Sequence, residues 1–462
     1  MYKINYFNFK EKDNKYLITN DIGNFAFLNK ENFFRMIKRK ELDETTKKEL
    51  IEKNFIYEEN DEIFANKAAI KLRKQKGYLL VPTVLHIFVV SKECNFNCVY
   101  CQAGNLDQKK EYKMSIETAK KAVDIALESP SDYLTFEFQG GEPLTNYEVI
   151  RYIIEYSTKV ANGKKIEYNL VSNLTLLTEE MMNFFIKNNV SICTSIDGNE
   201  KLQNTNRIYK NGNSFKETTQ KIKLLNEKGI KVNAIETTTQ YSLKEYKNIV
   251  DTYIDLGLDS IFLRPLTKLG KANSSWQNIG YEPEKFLEFY KKAFEYILKK
   301  NKEGILLSEG HSTILLKKIL KHEPVNYMEL RSPCGGAIGQ LAYYYDGNIY
   351  TCDEGRMLAE MGDERFKLGN VYENIYSDLM NCNCTKAMAI SSCIECIPYC
   401  KDCVYMPYCG TCPVINVAQD NNIFVKNPKE YRCKIYSGIL DILFNYIEKN
   451  DETMEIFENW IM

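Results

Sequence analysis

The spacing of apolar positions changes twice along the chain. Between about residue 84 and residue 290, continuous apolar runs alternate with segments whose apolar residues recur at helical spacing. VLHIFVV, YLTFEFQGG, IEYNLVSN, VSICTSIDG, IKVNAIET and DSIFLRPL read as strands, and the first has the β-branched character of a strand buried on both faces. SIETAKKAVDIALES, YEVIRYIIEYSTKVA, TEEMMNFFIKNN, FKETTQKIKLLNEKG and LKEYKNIVDTYIDLG read as helices, with Ser115 a cap and Glu117 in the first turn. About six strands, each followed by a helix, predict an α/β fold with a parallel sheet. Right-handed crossovers either curl such a sheet into a barrel or leave it open and doubly wound.

The flanking stretches differ. Residues 1–80 carry short alternating runs, YKINYFNF, YLITND and NFAFLN, and then two helical segments, with Asp43 and Thr45 as candidate caps. This β-β-β-α-α unit is expected to be a small domain, either a cap on the core or a peptide-binding module. Residues 291–330 read as linker helices. Residues 331–462 are Cys-rich with little room for a separate apolar core, so metal is expected to hold them together.

Composition narrows the partners. The chain has 61 Lys+Arg against 62 Asp+Glu, a net charge of -1, which disfavours a dedicated nucleic-acid binder. No apolar run reaches the roughly 18 residues that span a bilayer, and MYKINYFNFKEKDNKYL lacks the order of a secretory signal. A cytoplasmic protein is expected, with neither membrane nor nucleic acid as partner. Fifteen cysteines in a reducing compartment then imply metal rather than disulfides, and zinc and iron–sulfur are both open.

Cys94-Asn-Phe-Asn-Cys98-Val-Tyr-Cys101 is C-x3-C-x2-C on a loop leaving a strand, with no fourth Cys or His nearby for a structural zinc. Three thiolates suit a [4Fe–4S] cluster with one iron open. This loop resembles that of the radical S-adenosylmethionine (SAM) enzymes, and the resemblance covers roughly residues 84–290. It implies a partial (β/α)6 TIM-type barrel in which the open iron chelates the amino and carboxylate groups of SAM. One electron then cleaves the sulfonium, giving a 5′-deoxyadenosyl radical that abstracts hydrogen from substrate. Gly140-Gly141-Glu142-Pro143 matches the family's glycine-rich turn at the methionine ammonium. Ser172 and Asn173 match positions at the methionine carboxylate or ribose, and Ser195 and Asp197 positions at ribose and substrate. Arg207 suits a carboxylate, and Tyr100 looks like the aromatic beside the adenine.

The tail orders its cysteines as Cys334-x17-Cys352, then Cys400-x2-Cys403-x5-Cys409-x2-Cys412, then Cys433. This order resembles the SPASM extension of radical enzymes that modify ribosomal peptides, although the family's usual last gap is three residues. The resemblance implies a distal cluster on Cys400, Cys403, Cys409 and Cys433 and a proximal one on Cys334, Cys352 and Cys412. That makes three [4Fe–4S] clusters in all; two zinc sites are the alternative for the tail. A fourth proximal ligand is expected at Cys393, with Cys396 the near alternative or the iron left open; Cys382 and Cys384 look less constrained. Cys193 reads as a buried thiol, and His86, His311 and His322 are too scattered for a metal site.

LHIFVVSKECNFNCVYCQA, CKDCVYMPYCGTCPV and KYLITNDIGNFAFL resemble the radical maturases of the His-Xaa-Ser peptide system over most of the chain. The first unit resembles winged-helix-like elements that bind leader peptides by strand addition, with Tyr6, Phe7 and Phe9 as groove or core residues. The resemblance implies a maturase acting on a ribosomal precursor peptide, supplied with electrons by a flavodoxin or ferredoxin. Formylglycine formation on a sulfatase is the second reading, disfavoured by the N-terminal extension. An Fe–S electron carrier is the third, disfavoured because a carrier has no use for a cofactor pocket.

Overall fold

The computed structural model describes residues 2–58, 64–102, 112–425 and 430–462. The first unit contains β1 (Tyr2–Ile4), β2 (Asn8–Lys12), β3 (Lys15–Thr19), β4 (Phe25–Asn29), α1 (Lys30–Ile37), α2 (Glu44–Glu52) and β5 (Ile56–Glu58), followed by α3 (Phe64–Gln75). YKINYFNF is therefore not one strand. Its first part pairs antiparallel with β5, and its second begins the antiparallel meander β2-β3-β4. Asp43 caps α2 by accepting from the Thr46 N–H; Thr45 lies inside the helix. The unit has its own core, with Tyr16 stacked on Phe33 at 3.9 Å.

Strands and helices then alternate: β6 (Leu85–Ser91), α4 (Ile116–Leu127), β7 (Tyr133–Gly140), α5 (Tyr147–Val160), β8 (Lys165–Val171), α6 (Glu179–Lys187), β9 (Ser191–Ser195), α7 (Glu200–Asn206), α8 (Ser214–Glu227), β10 (Val232–Thr237), α9 (Tyr246–Asp255) and β11 (Ser260–Arg264). Each strand from β6 to β11 pairs parallel with its successor. The strands bury apolar residues such as Phe88, Phe136, Phe138, Leu170 and Ile192 completely. Short helices α10 (Lys271–Ser274) and α11 (Trp276–Ile279) lead to α12 (Pro283–Lys302), β12 (Ser308–Glu309) and α13 (Gly310–Leu320).

The tail does not begin a separate body at residue 331. It supplies β13 (Gln340–Tyr343), which joins the sheet parallel to β6, and β14 (Asn348–Tyr350), α14 (Asp353–Ala359) and β15 (Lys367–Asn370). The ten-stranded order is β12-β11-β10-β9-β8-β7-β6-β13-β14-β15, open at both edges. The C-terminal ends of β7, β8, β9, β10 and β11 nevertheless line one cavity, which a flat sheet cannot arrange. The sheet curls into a partial barrel. Beyond it come α15 (Tyr376–Asn381), α16 (Asn383–Ser391), α17 (Pro413–Asp420), α18 (Tyr431–Lys449) and α19 (Thr453–Trp460). The expected poverty of apolar core in the tail fails here. Ile439, Leu440, Leu443 and Phe457 are buried in the main core, because long amphipathic helices pack on α12.

The first unit docks on the tail. The Asn8 amide donates to the Lys401 and Cys403 carbonyls at 2.8 and 3.0 Å, and the Thr19 hydroxyl to the Val404 carbonyl at 2.6 Å. Lys10 pairs with Asp441 at 2.7 Å, and Phe25 meets Phe444 edge-on at 5.4 Å. No helix among the described residues is long and apolar enough to cross a membrane.

Candidate active site

The Cys94–Cys101 loop leaves β6 and is fixed from two sides. Its backbone N–H groups at Asn97 and Val99 donate to the Ile208 and Asn206 carbonyls. The Asn173 amide donates to Asn95, and the Asn95 amide to Thr175. The glycines of the GGEP turn have a cause that lies within the chain. A Cβ at Gly140 would sit 2.2 Å from the Ser91 carbonyl oxygen, and one at Gly141 2.5 Å from those of Lys92 and Glu93. Only glycine lets the end of β7 press against the root of the cysteine loop. Glu142 is fully buried and accepts from the Ser172 hydroxyl (2.7 Å) and the Asn173 and Leu144 N–H groups (2.8 and 3.0 Å). Burial pushes its carboxyl up while these donors pull it down. It ties the ends of β7 and β8 together.

Cys94, Cys98 and Cys101 line one cavity together with Tyr100, Gly140, Gly141, Glu142, Ser172, Asn173, Ser195 and Arg207. Pro143 and Asp197 do not line it. Pro143 starts a buried turn, and Asp197 stands fully buried behind Tyr100. The Tyr100 hydroxyl donates to Asp197 at 2.7 Å and accepts from the Arg207 guanidinium at 2.9 Å. Asp197 therefore orients the ring instead of reaching a ribose, and Arg207 already has this phenol as partner. Burial pushes the Cys98 thiol up to about 11 against the pull of Arg207, and that of Cys94 up to about 12. Arg207 Nε is buried with no hydrogen-bond partner among the described residues. One buried and two half-buried thiols beside a cation with an idle N–H fit an anionic cluster, whose binding would displace the thiol protons.

Arg264, notable in the sequence as a polar residue near the end of the sixth strand, also lines this cavity, with residues that the sequence does not single out: Gln139, Thr237, Asp353, Arg356 and Met357. The signal for three of them was adjacency, since Asp353, Arg356 and Met357 directly follow Cys352. Cys352 is the N-cap of α14, its sulfur accepting from the Gly355 N–H. It is buried with Cys334 and Cys412 in one apolar cluster. Burial, with the Glu354 carboxylate adding to it, pushes all three thiols up, Cys334 to about 11. The Cys393 sulfur lies 3.8 Å from that of Cys396 and 3.5 Å from the Glu395 carboxylate. Its neighbours reach the Cys334 loop: Ser392 accepts from the Cys334 N–H at 2.9 Å, and the Ile394 N–H donates to Ser332 at 3.0 Å. Cys384 is packed against the apolar cluster. Cys193 faces Glu137 and Arg264 from β9, and burial pushes it to about 12.

Four further thiols, Cys400, Cys403, Cys409 and Cys433, line a second cavity with Arg432 and Tyr436. Burial and mutual repulsion push Cys400 and Cys433 to about 12 and Cys409 to about 11. Here too an arginine, Arg432, has a buried Nε without a partner among the described residues. The donor set again fits an anionic cluster.

Residues 88–251 match the radical SAM superfamily. The chain carries a radical SAM domain over those residues, and that domain implies a [4Fe–4S] cluster and SAM. The chain is 26% identical over 361 residues to the cysteine-type anaerobic sulfatase-maturating enzyme of Clostridium novyi (strain NT), covering 74% of this chain and 92% of that one. Its fold is similar to native anSMEcpe with bound AdoMet, at TM-score 0.67 and 22% identity, covering 82% of this chain and 100% of that one. It is also similar to Streptococcus suis SuiB bound to precursor peptide SuiA, at TM-score 0.56 and 15% identity, covering 92% and 99%.

Proposed function

We propose that the protein is a maturase that modifies a ribosomally made precursor peptide, installing a crosslink or other C–H modification. The observation that carries this reading is the position of α14. Asp353, Arg356 and Met357 close the cavity of the Cys94 loop, while the N-cap of the same helix, Cys352, belongs to the proximal thiols. A substrate in the cavity then lies beside a second redox centre, the arrangement needed to take up an electron from a substrate radical. When bound, the reduced cluster and SAM supply a 5′-deoxyadenosyl radical. Cys94, Cys98 and Cys101 would hold that cluster. Gly140, Gly141, Ser172, Asn173, Ser195 and Arg207 would surround SAM and exclude water from it.

The same reading gives the tail two further [4Fe–4S] clusters, on Cys400, Cys403, Cys409 and Cys433 and on Cys334, Cys352 and Cys412, or about twelve irons per chain. Residues 1–80 would recognise the leader. The three-stranded sheet offers an edge for an added strand, and Phe9 and Phe34 are exposed beside it whereas Phe7 packs in the core. A flavodoxin or ferredoxin would reduce the enzyme in the cytoplasm.

Sulfatase maturation is the second reading, favoured by the match to the Clostridium novyi enzyme over 74% of the chain. The experiment is anaerobic turnover of the reconstituted protein with SAM and two substrates. One is a short peptide encoded beside the gene; the other is a sulfatase segment carrying Cys or Ser. A dehydrogenated or crosslinked gene-neighbour peptide by mass spectrometry supports the first reading. Formylglycine in the sulfatase segment alone replaces it with the second.

A further inference from the structure

Three cavities share walls, and one carboxylate touches the shared arginines. Arg264, at the end of β11, lines both the catalytic cavity and a smaller cavity beside it. Arg432, at the start of α18, lines that smaller cavity and the one ringed by Cys400, Cys403, Cys409 and Cys433. Glu329 lies between them, on the short turn that precedes Cys334. One of its oxygens accepts from Arg264 Nη2 at 3.2 Å, and the other from Arg432 Nη2 at 3.0 Å and the Tyr436 hydroxyl at 3.2 Å. Its backbone carbonyl takes a further bond from Arg432 at 3.2 Å.

This arrangement is more than a surface ion pair. The Arg432 and Glu329 side chains are 12% and 18% exposed, so water screens them weakly and their charges act over several ångströms. The two arginines hold Glu329 ionised, pulling its carboxyl down to about 2. Arg432 immediately precedes Cys433 at the start of α18 and lines the cavity of the distal thiols. The guanidinium and the carboxylate paired with it thus place opposite charges beside the tail thiols. A cluster's potential follows local charge and hydrogen bonding to its sulfurs.

We propose that Glu329 is a positioning residue that holds Arg264 in the catalytic cavity and Arg432 against the auxiliary thiols, and so sets the auxiliary clusters' reduction potential. It rests on the reading that the tail thiols hold iron. Removing the carboxylate charge leaves two unbalanced guanidiniums, which favour the reduced, more negative cluster. Removing Arg432 does the reverse.

The test is an EPR-monitored redox titration of the reconstituted full chain, with iron counted in each sample. Glu329→Gln is expected to raise an auxiliary midpoint potential and Arg432→Met to lower it, with iron content unchanged. Glu329→Asp, which keeps the charge, is expected to stay near the wild-type potential even if Glu329→Gln loses iron. Wild-type potentials in both Glu329→Gln and Arg432→Met, with iron retained, overturn the inference. So does a shift in Glu329→Asp as large as that in Glu329→Gln. Failure of the underlying reading looks different: replacing Cys400 and Cys403 would then leave the iron content of the chain unchanged.

Discussion

The thiols of the first loop and those of the distal loop meet similar needs in different surroundings. Both sets are at least half-buried, and both lie near an arginine whose Nε has no partner among the described residues. The first set has three thiols in a cavity whose other walls are polar strand ends from β7, β8 and β9. The distal set has four, in a cavity whose walls are mostly apolar, Ile394, Met406, Val425 and Tyr436 standing beside Glu430 and Arg432. Its loop is held from outside by Asn8 and Thr19 of the first unit. A site with three thiols and polar walls is built to admit a ligand to its metal. A site with four thiols, apolar walls and a second unit clamped on its loop is built to be closed. The difference teaches that thiol number and wall polarity together separate a reacting centre from a supporting one.

Replacing Cys94, Cys98 and Cys101 together by Ala should produce the largest effect, complete loss of SAM cleavage with the auxiliary iron retained. Three ligands leave no redundancy, so residual 5′-deoxyadenosine by chromatography would break the contrast. Cys433→Ala should remove the iron of one cluster yet leave peptide-independent SAM cleavage measurable. It should also speed amide hydrogen exchange in residues 2–58, because the loop that receives Asn8 loses its metal. Unchanged exchange there would show that the clamp does not depend on the cluster.

Gly141→Ala should cost about 1–3 kcal/mol through overpacking, since its Cβ would meet two carbonyl oxygens at 2.5 Å. The loss should fall on iron binding by the first loop before it reaches the distal site, as read by iron content and thermal unfolding. Asn8→Ala should be the mildest, about 0.5–1.5 kcal/mol, because the Lys401 and Cys403 carbonyls keep the Tyr6 hydroxyl and the Met406 N–H as donors. It is expected to raise the iron-loss rate of the distal site only, measured by chelator challenge; equal loss from both sites would erase the comparison.

Much of the first site was legible in residue order. C-x3-C-x2-C, the GGEP turn one strand later and the polar residues ending the next strands are local patterns, and the structure gathers most of them around one cavity. Asp197 was legible as a strand-end carboxylate but not as a residue behind Tyr100, because alternation along a strand does not tell which neighbour will fill the space. The fourth-ligand expectation at Cys393 rested on chain proximity. The turn that carries it is instead pinned through Glu395, which accepts from Ser332 and Lys76.

By itself, the sequence determined the alternation of strands and helices, the three thiols on the first loop and the spacing of the tail cysteines. Each depends on backbone geometry or ligand valence within a few residues. Only the tertiary structure decided that β13 pairs with β6, that Asn8 holds the distal loop and that Glu329 joins Arg264 to Arg432. The physical reason is range. Periodicity reports which face of an element is apolar, whereas contacts across hundreds of residues depend on how the curled sheet brings those faces and their buried charges together.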